Sequence, residues 1–242
     1  MHDDKKPLPN AAAHGSLTSS KPQSSVEAFI EKLKKQQAAV RGRLIFALDA
    51  TASRQPAWDA ASKLTADMFQ EVGTIGGLEM QLVYYRGQSE CQASRWFANS
   101  TDLTNAMARI ICAAGLTQIG KILSHSQKET KKLKVSALVF VGDAMEENPD
   151  TVIHEARELG RLRVPVFMFM FQEGNDPQVE QTFREIAQST KGAYCRFDAG
   201  SAHELGKLLR AVAAYAAGGA KALEGRKDDA SVKLLTQIKK KE

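Results

Sequence analysis

Residues 44–53 read Leu44-Ile45-Phe46-Ala47-Leu48-Asp49-Ala50-Thr51-Ala52-Ser53. The unbroken apolar run, without the alternation of a half-exposed strand, predicts a strand buried on both faces of a parallel sheet. Asp49 closes the run, so the C-terminal end of this first core strand emerges at a polar edge. Ligands of such sheets gather beyond the C-terminal ends of the strands, which makes residues 49–53 the first place to look for function.

Outward from this stretch the chain alternates. Trp58, Ala61, Leu64, Met68 and Val72 recur at helical spacing, Gly76-Gly77 breaks the pattern, and Met80 to Tyr85 reads as a second strand. Cys91 to Phe97 alternates polar and apolar residues after a short connection through Gly87, which predicts an antiparallel edge strand hairpinned to its predecessor. Leu103, Ala106, Met107 and Ile110 give another helix, and Val135 to Val141 another strand. Asn148-Pro149 and Asp176-Pro177 each combine an N-cap with a proline at the first helical position, and between them Val164 to Phe171 is a strand. The second of these helices carries Val179, Phe183, Ile186 and Ala187; Gly192 then leads into a short strand, Ala193 to Phe197. Ser201 with Glu204 caps a last core helix through Leu205, Leu208, Leu209 and Val212. The expected fold is a doubly wound α/β domain, with a mostly parallel sheet, one antiparallel edge strand and helices on both faces.

The flanks read differently. Residues 1–23 lack periodicity and predict a disordered leader. Over residues 24–40 the Ser24/Glu27 capping box and Val26, Phe29, Ile30 and Leu33 predict an amphipathic helix. The main domain is expected over residues 41–218, followed by a charged tail, 219–242. Within the tail Val232, Leu234, Leu235 and Ile238 give a short amphipathic stretch, marginal alone, that could dock on its own domain or on a partner.

Composition narrows the function classes. The 242 residues are 43% hydrophobic and 25% charged, ordinary globular values, and no run approaches the ~18 apolar residues of a membrane helix. The polar start lacks the apolar segment of a secretory signal. Cys91, Cys112 and Cys195 are scattered without CxxC spacing, which argues against a disulfide framework or a zinc site and fits a reducing cytoplasm. The net charge of +5 is partly gathered in Lys131, Lys132, Lys134 and Lys239 to Lys241. Without interleaved aromatics these read as solvated basic faces, not as a nucleic-acid site.

Three polar clusters fall on loops that this topology brings to one edge: Asp49 with Thr51 and Ser53, Thr117 after Gly115-Leu116, and Asp143 ending the Val135 strand. Two carboxylates and three hydroxyls, with no His or Cys in these motifs, suit a hard cation, Mg2+ or Mn2+, rather than zinc. The alternative is that Asp49 and Ser53 only cap their own loop and helix.

These clusters resemble the von Willebrand factor A family, whose metal-ion-dependent adhesion site combines a D-x-S-x-S loop, a later threonine and an aspartate at a strand end. The resemblance extends over about residues 43–215, and Phe183-Arg184-Glu185-Ile186-Ala187-Gln188-Ser189-Thr190-Lys191-Gly192-Ala193-Tyr194 is similar to a further segment of that family. It implies that Thr51 and Ser53 present hydroxyls to the metal, that Thr117 joins directly or through water, and that Asp49 and Asp143 act largely through water. An Asp or Glu of a protein partner then completes the shell. Thr51 stands where the family usually has serine, and Gly142-Asp143-Ala144 where threonine-aspartate-glycine is common. Small intracellular members often work beside AAA+ ATPases or in stress-response systems, so the resemblance implies a cytoplasmic adaptor or regulator.

No nucleophile with a base, no HExxH and no phosphate-cradling GxxxxGK[ST] occurs, so turnover is not expected. The enzymatic alternative is a haloacid-dehalogenase-like phosphohydrolase, since Asp49-Ala50-Thr51 follows a strand and Val141-Gly142-Asp143-Ala144 resembles that family's later metal loop. Thr51 stands where that family's second aspartate would be, and a hydroxyl cannot replace a carboxylic acid. His125, His154 and His203 read as surface or helix-end residues, Cys112 as a small buried hydrophobe, and Glu146-Glu147 as an acidic rim or a solvated helix approach.

Overall fold

In the computed structural model, which describes residues 41–52, 55–72, 77–171, 176–197 and 202–240, the opening apolar run becomes β1, Gly42–Asp49, buried along its whole length. It is followed by α1 (Gln55–Glu71), β2 (Leu78–Arg86), β3 (Glu90–Phe97), α2 (Ser100–Met107), α3 (Ile119–Lys132) and β4 (Ala137–Gly142). Then come α4 (Pro149–Arg161), β5 (Val166–Phe171), α5 (Pro177–Ser189), β6 (Ala193–Phe197), α6 (Ala202–Glu224) and α7 (Asp229–Lys239). The expected leader, the helix over 24–40, and Ser53, Gly76 and Ser201 lie outside the described residues.

The sheet order is β3-β2-β1-β4-β5-β6, with only β2 and β3 antiparallel. This is the expected doubly wound architecture. Period-two alternation in β1 divides the core into two layers. Leu44, Phe46 and Leu48 pack with Trp58 and Met68 of α1, Leu103 of α2, Leu208 and Val212 of α6, and Leu234 of α7. Ile45 and Ala47 face the other way, toward Ile122 of α3, Val152 and Ala156 of α4, and Phe183 and Ile186 of α5.

The caps read from sequence form: Asn148 accepts the amides of Asp150 and Thr151, and Asp176 those of Gln178 and Val179. β1 and β2 begin two residues earlier than expected, and at three further boundaries a side chain or a turn takes the backbone group. The Val135 amide donates to Thr130 Oγ1 (3.0 Å) and that of Val164 to the Leu159 carbonyl (3.3 Å), so β4 and β5 begin two residues later. The helix expected through Ile110 ends at Met107, whose carbonyl accepts from Trp58 Nε1 (3.2 Å) and from the Ile110 amide (3.0 Å).

The C-terminal stretch docks on its own domain. Gly219, at φ 67°, kinks α6, and the chain folds back so that Leu223, Ala230, Leu234 and Ile238 are buried. Arg226 anchors the return by pairing with Glu71 of α1 and with Asp228, the N-cap of α7 (2.9 Å). Gln237 accepts the Tyr194 amide (3.0 Å) and donates to the Tyr194 carbonyl (2.8 Å), standing in for a neighbouring strand on β6. Edge groups left open invite pairing with another chain, and this one is covered. Leu234 is 0% exposed, so Leu234→Ala is expected to cost about 2–5 kcal/mol in chemical denaturation, against almost nothing for a detached tail.

Candidate metal-binding site

β1 and β4 are neighbours, yet α1 after β1 and α4 after β4 cover opposite faces of the sheet. The crevice between their C-terminal ends is therefore the switch point at which such sheets bind ligands. Asp49 ends β1, and Asp143 follows the last residue of β4. Asp49, Thr51, Thr117 and Asp143 line a single cleft of about 350 Å3 there, together with Ala52, Gly115 and Glu146. Ser53 lies outside the described residues.

Each loop is held by the backbone. The Ala50 amide donates to the Tyr85 carbonyl (3.1 Å) and the Ala50 carbonyl accepts from the Ala113 amide (3.0 Å). Thr51 N–H turns back onto Asp49 Oδ1 (2.7 Å), which fixes that carboxylate at the mouth of the strand. The Thr117 loop leans on the β2–β3 turn, with the Leu116 amide donating to the Gly87 carbonyl (3.0 Å). A Cβ on Gly115 would stand 2.1 Å from the Gly87 carbonyl oxygen, and Gly87 itself has φ 62°, so glycine is needed at both positions.

Glu146 and Glu147, expected as an acidic rim or a solvated helix approach, have specific work in the structure. Glu146 Oε2 accepts the Thr117 amide (2.9 Å), and Thr117 Oγ1 accepts the Glu146 amide (3.1 Å), a reciprocal clamp between two loops of the cleft. Glu147 accepts the amides of Ile119 and Gly120 at the N-terminus of α3, where a carboxylate satisfies free donors and favours the helix dipole. No periodic signal could have shown these pairings across 27 to 29 residues.

Electrostatically the cleft is one-sided. No basic residue lines it among the described residues. Asp49 is 4% exposed, and burial pushes its carboxyl above the ordinary aspartate range. Hydrogen bonds from Thr51 pull it back, and the charge of Asp143 pushes it further up. The wholly buried Tyr85 hydroxyl is raised well above its usual value by burial and then by Asp49, and makes no well-aligned hydrogen bond.

The donor chemistry fits a hard cation. Three carboxylates, those of Asp49, Asp143 and Glu146, and two hydroxyls border an open cleft, an oxygen set suited to an ion that keeps several waters. No three His, Cys, Asp or Glu side chains gather at metal distance among the described residues, so this is not an all-carboxylate cage. Burial raises the Cys112 thiol to about 11, with Asp49 adding to the shift, and Cys112 is half-buried against the core edge. His154 and His203 are exposed, as read from sequence, but His125 is half-buried in mid-helix, its Nε2 2.9 Å from Gln81 Oε1 on β2.

Gly142 explains one departure from the adhesion-site pattern. A Cβ there would lie 2.8 Å from the Phe140 ring, so a threonine cannot enter without displacing a core aromatic. Gly142→Thr is expected to lose about 1–3 kcal/mol of stability in urea unfolding. Asp49 carries a pH signature. With its folded pKa raised, ionisation opposes folding; the cost is absent below the ordinary aspartate range and grows as pH rises through the folded value. In EDTA, Asp49→Asn should raise the unfolding temperature at neutral pH and lose that gain in acid; no gain at neutral pH would contradict the assignment.

No protein-family model matches the chain, and no curated protein matches it. Solved structures do. A von Willebrand factor type A protein from Catenulispora acidiphila aligns with TM-score 0.61 and 15% identity over 74% of this chain, which spans 43% of that protein's length. The vWF domain of the type V pili tip protein Mfa5 from Porphyromonas gingivalis aligns with TM-score 0.57 and 8% identity, over 72% of this chain and 94% of that one. The SpRpn10 VWA domain aligns with TM-score 0.52 and 12% identity, over 66% and 89%. Together with the strand order and the placement of helices, these likenesses give the chain the von Willebrand factor A fold.

Proposed function

We propose that this domain is a binding module in which Asp49, Thr51, Ser53, Thr117 and Asp143 hold Mg2+ or Mn2+ as a metal-ion-dependent adhesion site. The ion, when bound, supplies a coordination position for an Asp or Glu carboxylate of a protein partner. The observation that carries this reading is the convergence of the Asp49 and Asp143 carboxylates and the Thr51 and Thr117 hydroxyls, with Glu146 beside them, on a cleft without a lining basic residue among the described residues. Two facing anions are relieved by a cation, and a cation with waters in its shell can exchange one for an external oxygen.

Binding rather than turnover is the expected mode. Thr51, two residues after Asp49, lacks the carboxyl that a phosphohydrolase would use as general acid. An intracellular adaptor or regulator, set beside an AAA+ ATPase or in a stress-response assembly, is the role that the resemblance suggests. The three free cysteines support a reducing compartment, and no helix among the described residues is long and apolar enough to cross a membrane.

A second reading, a scaffold whose site has lost its metal, is favoured by one observation: Asp49 Oδ1 and Thr117 Oγ1 already accept backbone amides. Thermal unfolding separates the two. Saturating Mg2+ or Mn2+ should raise the unfolding temperature, by about 2.7 kcal/mol of stabilisation at a hundredfold excess over Kd. Asp49→Ala and Thr117→Ala should fold but lose that shift, together with Mg2+-dependent, EDTA-sensitive capture of the partner. An unmodified protein indifferent to both ions would establish the metal-free scaffold, and hydrolysis of phosphomonoesters abolished by Asp49→Asn would establish an enzyme.

A further inference from the structure

At the opposite pole, where the strands begin, three successive helix-to-strand turns each carry a basic residue: Lys134 before β4, Arg163 before β5 and Lys191 before β6. Lys134 has a structural task. Its ammonium donates to the carbonyls of Leu162 (2.8 Å) and Arg163 (2.6 Å), pinning the second turn. Burial, and then the neighbouring Arg163 charge, hold that ammonium below the ordinary lysine range.

Arg163 and Lys191 have no such task. With φ of 56° and 58° they are the non-glycine residues of positive φ among those described, and both line one cleft of about 440 Å3. Each follows the C-terminus of a helix, where glycine takes this left-handed conformation without strain. A chain selected for stability alone would place glycine at both. Arg161, at the end of α4, adds a third cation to the wall; it pairs with Glu158 on its own helix and is 74% exposed. Half-buried Tyr215 supplies the accessible apolar surface, Pro165 and Ile238 being buried beneath it, and no carboxylate lines the cleft among the described residues.

The walls are rigid. Thr190 Oγ1 accepts the Val166 amide (3.1 Å), and a Cβ on Gly160 would stand 2.3 Å from the Ser189 carbonyl oxygen. The two turns are thus locked together, and a ligand would meet a preformed shape.

We infer that this cleft, formed by the exposed Arg161, Arg163 and Lys191 around half-buried Tyr215, is a second docking site that takes an acidic segment of a protein partner with an apolar side chain set against the Tyr215 ring. Charge complementarity selects the flanking Asp or Glu residues, and the apolar lining selects what sits between them. The site is independent of the metal cleft, so the domain could hold two partners at opposite poles.

A random-peptide display library panned against the full chain in EDTA tests this. Enriched peptides should place Asp or Glu on both sides of an apolar residue and bind the Asp49→Ala protein unchanged. Arg163→Gly and Lys191→Gly, combined, should weaken them about tenfold or more, while the unfolding temperature stays level or rises. Four outcomes would overturn the inference: no acidic-apolar consensus, peptides that bind the double variant undiminished, a single-stranded oligonucleotide that displaces them more strongly than a free acidic peptide does, or a loss of unfolding temperature that accounts for the lost binding.

Discussion

The burial of β1 on both faces is the constraint from which the rest follows. A strand flanked by β2 and β4 and covered by two helical layers has no solvent-facing side, so all eight of its positions from Gly42 to Asp49 are buried. Such a strand can carry polar chemistry only at its ends. At the C-terminal end this is Asp49, whose desolvated carboxylate turns onto the Thr51 amide. At the N-terminal end it is the Arg43 side chain, 7% exposed, stacked 3.7 Å above the Trp96 ring and placed 3.7 Å from Glu129. One end thus gathers acidic oxygens and the other a buried cation.

The cleft above Asp49 is assembled by backbone complementarity. Gly115 approaches Gly87 more closely than any side chain would allow, Gly142 leaves room for Phe140, and the Thr117–Glu146 clamp ties the α3 loop to the loop after β4. The three loops are therefore mutually fixed, and the site is preorganised. That rigidity has an energetic counterpart, since burial, and to a smaller extent the charge of Asp143 on the same cleft, raises the pKa of Asp49. A fold that holds a desolvated carboxylate beside a second anion carries a cost, which a bound cation would offset. The opposite pole repeats the theme with reversed sign, in two left-handed turns bearing Arg163 and Lys191.

Much of this was legible in the sequence, because buried parallel strands and amphipathic helices have periods that can be read. The run from Leu44 to Leu48, the edge character of Cys91 to Phe97 and the caps Asn148 and Asp176 all took the expected structural form. So did the convergence on one edge of Asp49 and Asp143, which follows from the adjacency of β1 and β4, and of Thr117, which the loop before α3 brings there. Pairings between side chains and a distant backbone were hidden: Gln237 on Tyr194, Glu147 on the start of α3, and Gln81 with His125 in mid-helix. They span 27 to 44 residues and depend on a few ångströms of placement, for which no local pattern exists. The C-terminal helix was seen as amphipathic, but the groove that receives it is formed by α6 and β6 and is absent from its own residues.

Asp49 is central to the domain's function, because its burial is costly without a cation and useful with one. Anomalous scattering from crystals of the full chain soaked in Mn2+ tests this most directly. A single Mn2+ peak is expected in the cleft bordered by Asp49, Thr51, Thr117 and Asp143, lost in the Asp49→Ala protein. A cleft free of anomalous density at saturating Mn2+, with the native loops in place, would contradict a metal site there.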